Sequence, residues 1–213
     1  MSRGILFIGG AHPRVEYVHQ ILKDIDVVGA ADSGYDSALA CGIKPQWVVG
    51  DMDSIAHPDQ LQKLPSHAVD WCSQEKDETD TELGMMRLNR EGCTSSILIG
   101  GGEGRLDHTL ALTKLFLGEW VPDAWYTAYE WVSLLHTQRI LRGSAGHRLS
   151  LFPIGNGPWK VHSKGLQWPV DSVDWQNGGY SLSNCFLEER IELYGVQGLF
   201  LVMRPIEEAL ANS

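Results

Sequence analysis

Three short stretches of this 213-residue chain carry side chains whose types and spacing suit chemistry on phosphates. The first is VVGDMDS (residues 48–54), where an apolar run reaches Gly50 and gives way to Asp51-Met52-Asp53. If the chain stays extended there, the two carboxylates point the same way. Clustered carboxylates raise each other's pKa unless a cation neutralises them. Mg²⁺ suits such oxygen ligands, keeps several waters and bridges to substrate phosphates. A solvated Asx turn, with Ser54 capping the next segment, fits the same residues. The second stretch, KDETDTE (76–82), sets Asp77 and Asp80 at the start of a helix. Acids there also suit the helix dipole, and Thr79 with Glu82 forms a capping box. Lys76, beside Asp77, offers charge compensation to a phosphate. The third is GGGEGRLDH (100–108). Its glycines let backbone amides approach an anion closely, and Arg105 can clamp phosphate oxygens in bidentate fashion. Asp107 and His108 then open a helix. No GK[ST] follows, so this is not a P-loop, nor does it follow the first strand as a dinucleotide fingerprint should. A flexible turn is the plain alternative.

These side chains need a frame. Up to about residue 120 strand-like runs alternate with helical ones. The strands are GILFIGG, DVVGAADSG, PQWVVGD, a shorter run over 68–72, and SSILIGGG; helices are expected over 15–23, 36–41, 79–89 and 107–117. Alternation of this kind implies parallel pairing and an α/β sheet. Ligands of such sheets bind beyond the carboxyl ends of the strands, where Asp32, Asp51, Asp53 and the glycine stretch fall. After residue 125 the pattern changes to short β-like runs (TAYEWVSLL, HRLSLFP, WKVHS, GLQWP, GYSLSN, RIELYG, GLFLVMRP) separated by turn residues, a sandwich or barrel signature. The expected division is 1–142 and 143–213, at the RGSAG segment.

Bulk properties narrow the partners. The net charge of −10 makes nucleic acid and anionic membrane poor partners, but it allows a phosphate-bearing small ligand if metal ions carry the positive charge. No apolar run approaches the ~20 residues of a membrane span, and the N-terminus runs directly into a strand without a cleavage signal. Cys41, Cys72, Cys93 and Cys185 are scattered, as for reduced thiols in a cytoplasmic protein. The eight histidines show no metal-ligand spacing. Trp168, next to turn residues in GLQWP, is either core packing or a stacking platform.

Together ADSG, GDMDS, KDETD and GGGEGRLDH, followed by LSLFPIG, KGLQWPV, GGYSLSN and GLFLVM, resemble the thiamine pyrophosphokinase family over nearly the whole chain. The resemblance implies a Rossmann-like, mostly parallel α/β domain that binds nucleotide and metal, then an antiparallel β-sandwich that binds thiamine. It implies diphosphate transfer from ATP to the thiamine hydroxyl, dependent on Mg²⁺, with release of AMP. It also implies a homodimer with its sites at the subunit interface. By motif match, Asp51, Asp53 and Asp80 hold metal, with Asp77 or Asp80 as base. Asp32, Lys76, Thr79, Gly102, Gly104, Arg105, Asp107 and His108 meet the nucleotide. Trp168 stacks on thiamine, and Ser181, Ser183 and Asn184 border that pocket. Two departures concern the nucleotide pocket: Glu103 stands where a small residue is common, and Leu112 where Asn is. The alternatives are a diphosphokinase for another alcohol, such as a hydroxymethylpterin, and a non-catalytic nucleotide- or thiamine-binding protein.

Overall fold

A strand covered on both faces reads as a continuous apolar run, and the early runs of this chain are of that kind. The computed structural model describes residues 2–211. It divides into two compact units, the first ending at Ala128 and the second beginning at Tyr129.

The first unit contains β1 (Ser2–Phe7), α1 (Val15–Ile21), β2 (Val27–Ala31), α2 (Gly34–Ala40), β3 (Trp47–Gly50), α3 (Pro58–Leu61), β4 (Val69–Trp71), α4 (Asp80–Arg90), β5 (Cys93–Ile99), α5 (Leu106–Lys114) and β6 (Ala124–Tyr126). Its strands lie in the order β6-β5-β1-β2-β3-β4, and each pairing is parallel. Ile5, Leu6, Phe7, Val48, Leu98 and Ile99 are buried along them. α4 packs on β1, β2, β3 and β5 through Gly84, Met85 and Leu88. The chain moves from β1 out to β4 and then returns to place β5 on the other side of β1. That reversal opens a crevice beyond the carboxyl ends of β1 and β5.

The second unit contains β7 (Glu130–Leu135), β8 (Arg139–Arg142), β9 (Arg148–Ile154), β10 (Lys160–Lys164), β11 (Ser181–Cys185), β12 (Arg190–Gln197), β13 (Leu199–Pro205) and α6 (Ile206–Leu210). One antiparallel sheet runs β11-β9-β13-β7 and the other β10-β12-β8. Alternate residues point inward from both: Leu149, Leu151, Phe200 and Val202 meet Leu141, Val161, Ile191 and Leu193 in one core. This is a β-sandwich, as expected.

Three expectations need correction. Residues 130–142 belong with the second unit, not the first, because β7 pairs with β13 and β8 with β12. TAYEWVSLL (127–135) is a strand only from Glu130 onward, as β7; residues 127–129 lead into it from β6. GLQWP is not a strand; its one ladder contact is the isolated Leu166–Phe186 bridge.

α2 begins against β1 with no room for a side chain: a Cβ on Gly34 would lie 2.2 Å from the Phe7 carbonyl oxygen. Gly34→Ala is therefore expected to cost about 1–3 kcal/mol, as overpacking does. The urea unfolding midpoint measures it, and an unchanged midpoint would contradict this close approach.

Candidate active site

Three carboxylates converge where β2, β3 and the start of α4 come together. Asp32, Asp51 and Asp80 each present an oxygen, and the three oxygens lie within 4.8 Å of one another. The backbone turns sharply to bring them there. Asp32 adopts φ 46°, and Gly50, at the end of β3, has φ 148°. A Cβ on Gly50 would sit 3.2 Å from the Cβ of Asp32 and 3.3 Å from the Cγ of Asp80, so only glycine lets the two acids close over this strand end. Asp80 is the first residue of α4, whose capping box joins Glu82 N–H to Thr79 Oγ1 (3.2 Å) and Thr79 N–H to Glu82 Oε2 (2.8 Å).

The expected extended course through Asp51-Met52-Asp53 is not found. Met52 has φ 62° and is buried, and the Asp53 amide donates to Asp51 Oδ1 at 3.2 Å. The turn sends the two carboxylates apart. Asp53 is exposed and accepts from Ser54 Oγ (2.8 Å) and Gln74 Nε2 (3.1 Å), outside the cluster that was expected to include it. Asp32, expected only near nucleotide, takes its place. One Asp32 oxygen, Oδ1, is buried without a hydrogen-bond partner.

The electrostatics follow from this crowding. Burial, then the charges of Asp80 and Asp51, push the Asp32 carboxyl above its ordinary value, against the polar Ser33 backbone and Ser54 hydroxyl nearby. A carboxyl raised in this way binds its proton more tightly folded than unfolded. Its ionisation opposes folding at neutral pH, and the penalty fades as pH falls through the folded-state pKa. Lys76 Nζ lies 2.5 Å from Asp80 Oδ1. Burial opposes the Lys76 charge, but the hydrogen bond and charge of Asp80, with smaller contributions from Cys72 and Asp51, hold the ammonium above its usual range.

The cluster forms one wall of a cleft of about 500 Å³. The loops after β1 and β5 form another. A Cβ on Gly10 would lie 3.2 Å from Gly101 Cα, and one on Gly100 2.4 Å from the Ile8 carbonyl oxygen. Gly100, Gly101, Gly102 and Gly104 all have positive φ, and Trp125 Nε1 donates to Gly100 O at 2.7 Å to hold the loop. Lys76, Thr79, Arg105 and His108 line the cleft with Gly101; Asp77, Gly102, Gly104 and Asp107 are not among its lining residues. Arg105 is 71% exposed and paired with Asp107 through Nε (3.2 Å) and a terminal nitrogen (2.5 Å). That pairing holds the Asp107 carboxyl below its usual range. Five carboxylates line the cleft (Asp32, Asp51, Glu78, Asp80, Glu103) against Lys76 and Arg105. This excess of negative charge opposes an anionic ligand unless cations accompany it.

Gly9, Gly10, Ser33, Ser54 and Gln74 also line the cleft and were not assigned from sequence. The glycine pair that ends the first strand carried a signal; Trp125 carried none.

In the second unit, Trp168 is 55% exposed and its loop is fastened to β11 by Asn184, which is 1% exposed. Asn184 Oδ1 accepts from the Trp168 amide (3.1 Å) and the Cys185 amide (2.9 Å), while Nδ2 donates to Trp168 O (2.6 Å) and Ser181 Oγ (3.2 Å). Ser183 is exposed at φ 52°, and its amide donates to Ser150 Oγ at 3.0 Å. Asn184 was expected to border a ligand, but its amide is fully engaged in positioning the Trp168 loop.

Comparison with known proteins adds the following. Residues 18–120 match the family model described as thiamin pyrophosphokinase, catalytic domain, and residues 134–194 that described as thiamin pyrophosphokinase, vitamin B1 binding domain. Together the two models cover more than half of the chain. Thiamine pyrophosphokinase 1 of Arabidopsis thaliana is 30% identical over 165 residues, covering 70% of this chain and 61% of the plant protein. The thiamin pyrophosphokinase of Geobacillus thermodenitrificans has a similar fold, with TM-score 0.78, 20% identity, and coverage of 96% of this chain and 97% of that one. The yeast enzyme gives TM-score 0.72 at 16% identity, with 99% and 88% covered.

Removing the Asn184 amide leaves buried backbone groups without partners. Asn184→Ala is expected to destabilise the protein by about 1–3 kcal/mol and to loosen the Trp168 loop, read as faster exchange of the Trp168 amide hydrogen. Unchanged exchange at that amide would contradict the positioning role.

Proposed function

The chain belongs to the thiamine pyrophosphokinase family, and from that premise we propose that it transfers the diphosphate of ATP to the hydroxyl of thiamine, giving thiamine diphosphate and AMP. The observation that carries this reading is the convergence of Asp32, Asp51 and Asp80 within 4.8 Å at the mouth of a glycine-walled cleft. Hard carboxylate oxygens fit Mg²⁺, and the partnerless, buried Asp32 Oδ1 fits a ligand atom awaiting its ion. Asp32, Asp51 and Asp80 would hold the metal. When bound, it would neutralise charge on phosphate oxygens as the P–O bond breaks.

The remaining work falls to the protein's own groups. The positive-φ glycines keep Cβ atoms off one wall, so a phosphate chain can lie against backbone. Lys76 and Arg105 supply positive charge; each is paired with an acid, Asp80 and Asp107, that phosphate has to replace. Of the two acids proposed to accept the hydroxyl proton, Asp80 is retained because it lines the cleft and Asp77 does not. Trp168 offers an exposed indole for stacking on the electron-poor thiamine pyrimidine. Homodimer formation and sites at the subunit interface come to this reading from the family resemblance. A cytoplasmic setting is supported by the four free cysteines, Cys41 among them buried. No helix among the described residues is long and apolar enough to cross a membrane.

The test is AMP release from ATP and Mg²⁺ with thiamine or with hydroxymethylpterin as acceptor. Thiamine-dependent AMP and thiamine diphosphate are expected; AMP with the pterin alone, or with neither, would overturn the assignment. Trp168→Ala should raise the KM for thiamine roughly 5- to 150-fold, the factor expected from ~1–3 kcal/mol of aromatic stacking, and leave the KM for ATP little changed.

A further inference from the structure

Lys76 occupies the place where a metal ion's charge would act. Its Nζ lies 2.5 Å from Asp80 Oδ1, with the two side chains 16% and 26% exposed, and Asp80 is one of the three clustered carboxylates. Arg105, also on the cleft wall, is engaged by Asp107. An ammonium on a four-carbon stem is a mobile point charge, so Lys76 can leave Asp80 without the backbone moving.

We propose that Lys76 is the resident counter-ion of the carboxylate cluster, which a divalent cation displaces and the nucleotide's phosphates receive, so that metal and nucleotide bind cooperatively. The inference rests on reading the cluster as a metal site. A divalent cation entering alone competes with Lys76 for Asp80 and lies close to the ammonium it displaces. Repulsion between charges a few ångströms apart at a protein surface is worth about tenfold or more in affinity. With a phosphate chain in the cleft, the ammonium has another anion within reach and the penalty falls away. By linkage, each ligand then tightens the other by the same factor. Lys76 thus favours loading of the metal–nucleotide complex over loading of bare metal, which protects the cluster from free cations.

The experiment measures Mn²⁺ binding by calorimetry in wild type, Lys76→Met and Lys76→Arg, with and without α,β-methylene-ATP, whose α–β bridge cannot be cleaved. Lys76→Met should bind Mn²⁺ alone about tenfold or more tightly than wild type, while Lys76→Arg, which keeps the charge, should resemble wild type. The nucleotide analogue should tighten Mn²⁺ markedly in wild type and much less in Lys76→Met. Equal or weaker Mn²⁺ binding by Lys76→Met, or undiminished coupling to the analogue, overturns the counter-ion role. Mn²⁺ binding by wild type that survives Asp51→Asn overturns instead the metal-site reading beneath it.

Discussion

Like-charge repulsion among Asp32, Asp51 and Asp80 is the constraint around which the first unit is arranged. Three carboxylate oxygens within 4.8 Å oppose folding unless something holds them, and the holding devices can be named. Asp32 and Met52 are held in the left-handed region at φ 46° and 62°, a conformation costing on the order of 1–3 kcal/mol for such residues. Burial of the Met52 side chain offsets part of this. Asp80 sits in the first turn of α4, where the helix N-terminus favours negative charge. Gly50 leaves the space into which Asp32 and Asp80 close. Apart from the buried Met52 side chain, none of these devices adds to the core. They are explained if the repulsion is relieved by a ligand that the folded chain binds.

The second unit solves a different problem. Its core is filled by the inward residues of two sheets, and it keeps an indole in the open. Trp168 is held through its backbone by the buried amide of Asn184. A side chain with all its hydrogen bonds made within the protein positions without touching a ligand. The exposed ring stays free to do so.

Local signals were readable from the sequence because their causes are local. The apolar runs of β1 to β5, the Thr79–Glu82 capping box and the glycines after β5 all appear where the chain predicts them. What failed to be legible depended on distant partners or on one dihedral. An extended Met52 would have put Asp51 and Asp53 side by side; its positive φ, rare for such a residue, sent Asp53 outward. Asp32 joins Asp51 because β2 lies beside β3, and joins Asp80 because α4 packs on both strands. Neither fact is written in ADSG. Residues 130–142 read as part of the first unit because their partners, 190–205, lie 48 or more residues on. The role of Asn184 was visible only once residue 168 was seen beside it.

The most direct test of this account is the unfolding midpoint as a function of Mg²⁺ at pH 8 for wild type and Asp32→Asn. Asn tolerates the left-handed backbone at this position, so the substitution removes charge and little else. Without Mg²⁺ the variant should be the more stable, because one of three repelling charges is gone. With rising Mg²⁺ the wild type should gain stability by mass action and overtake it, so the two curves cross. Parallel curves, or a wild type already more stable without Mg²⁺, would contradict the claim that the cluster is a strained site relieved by a bound cation.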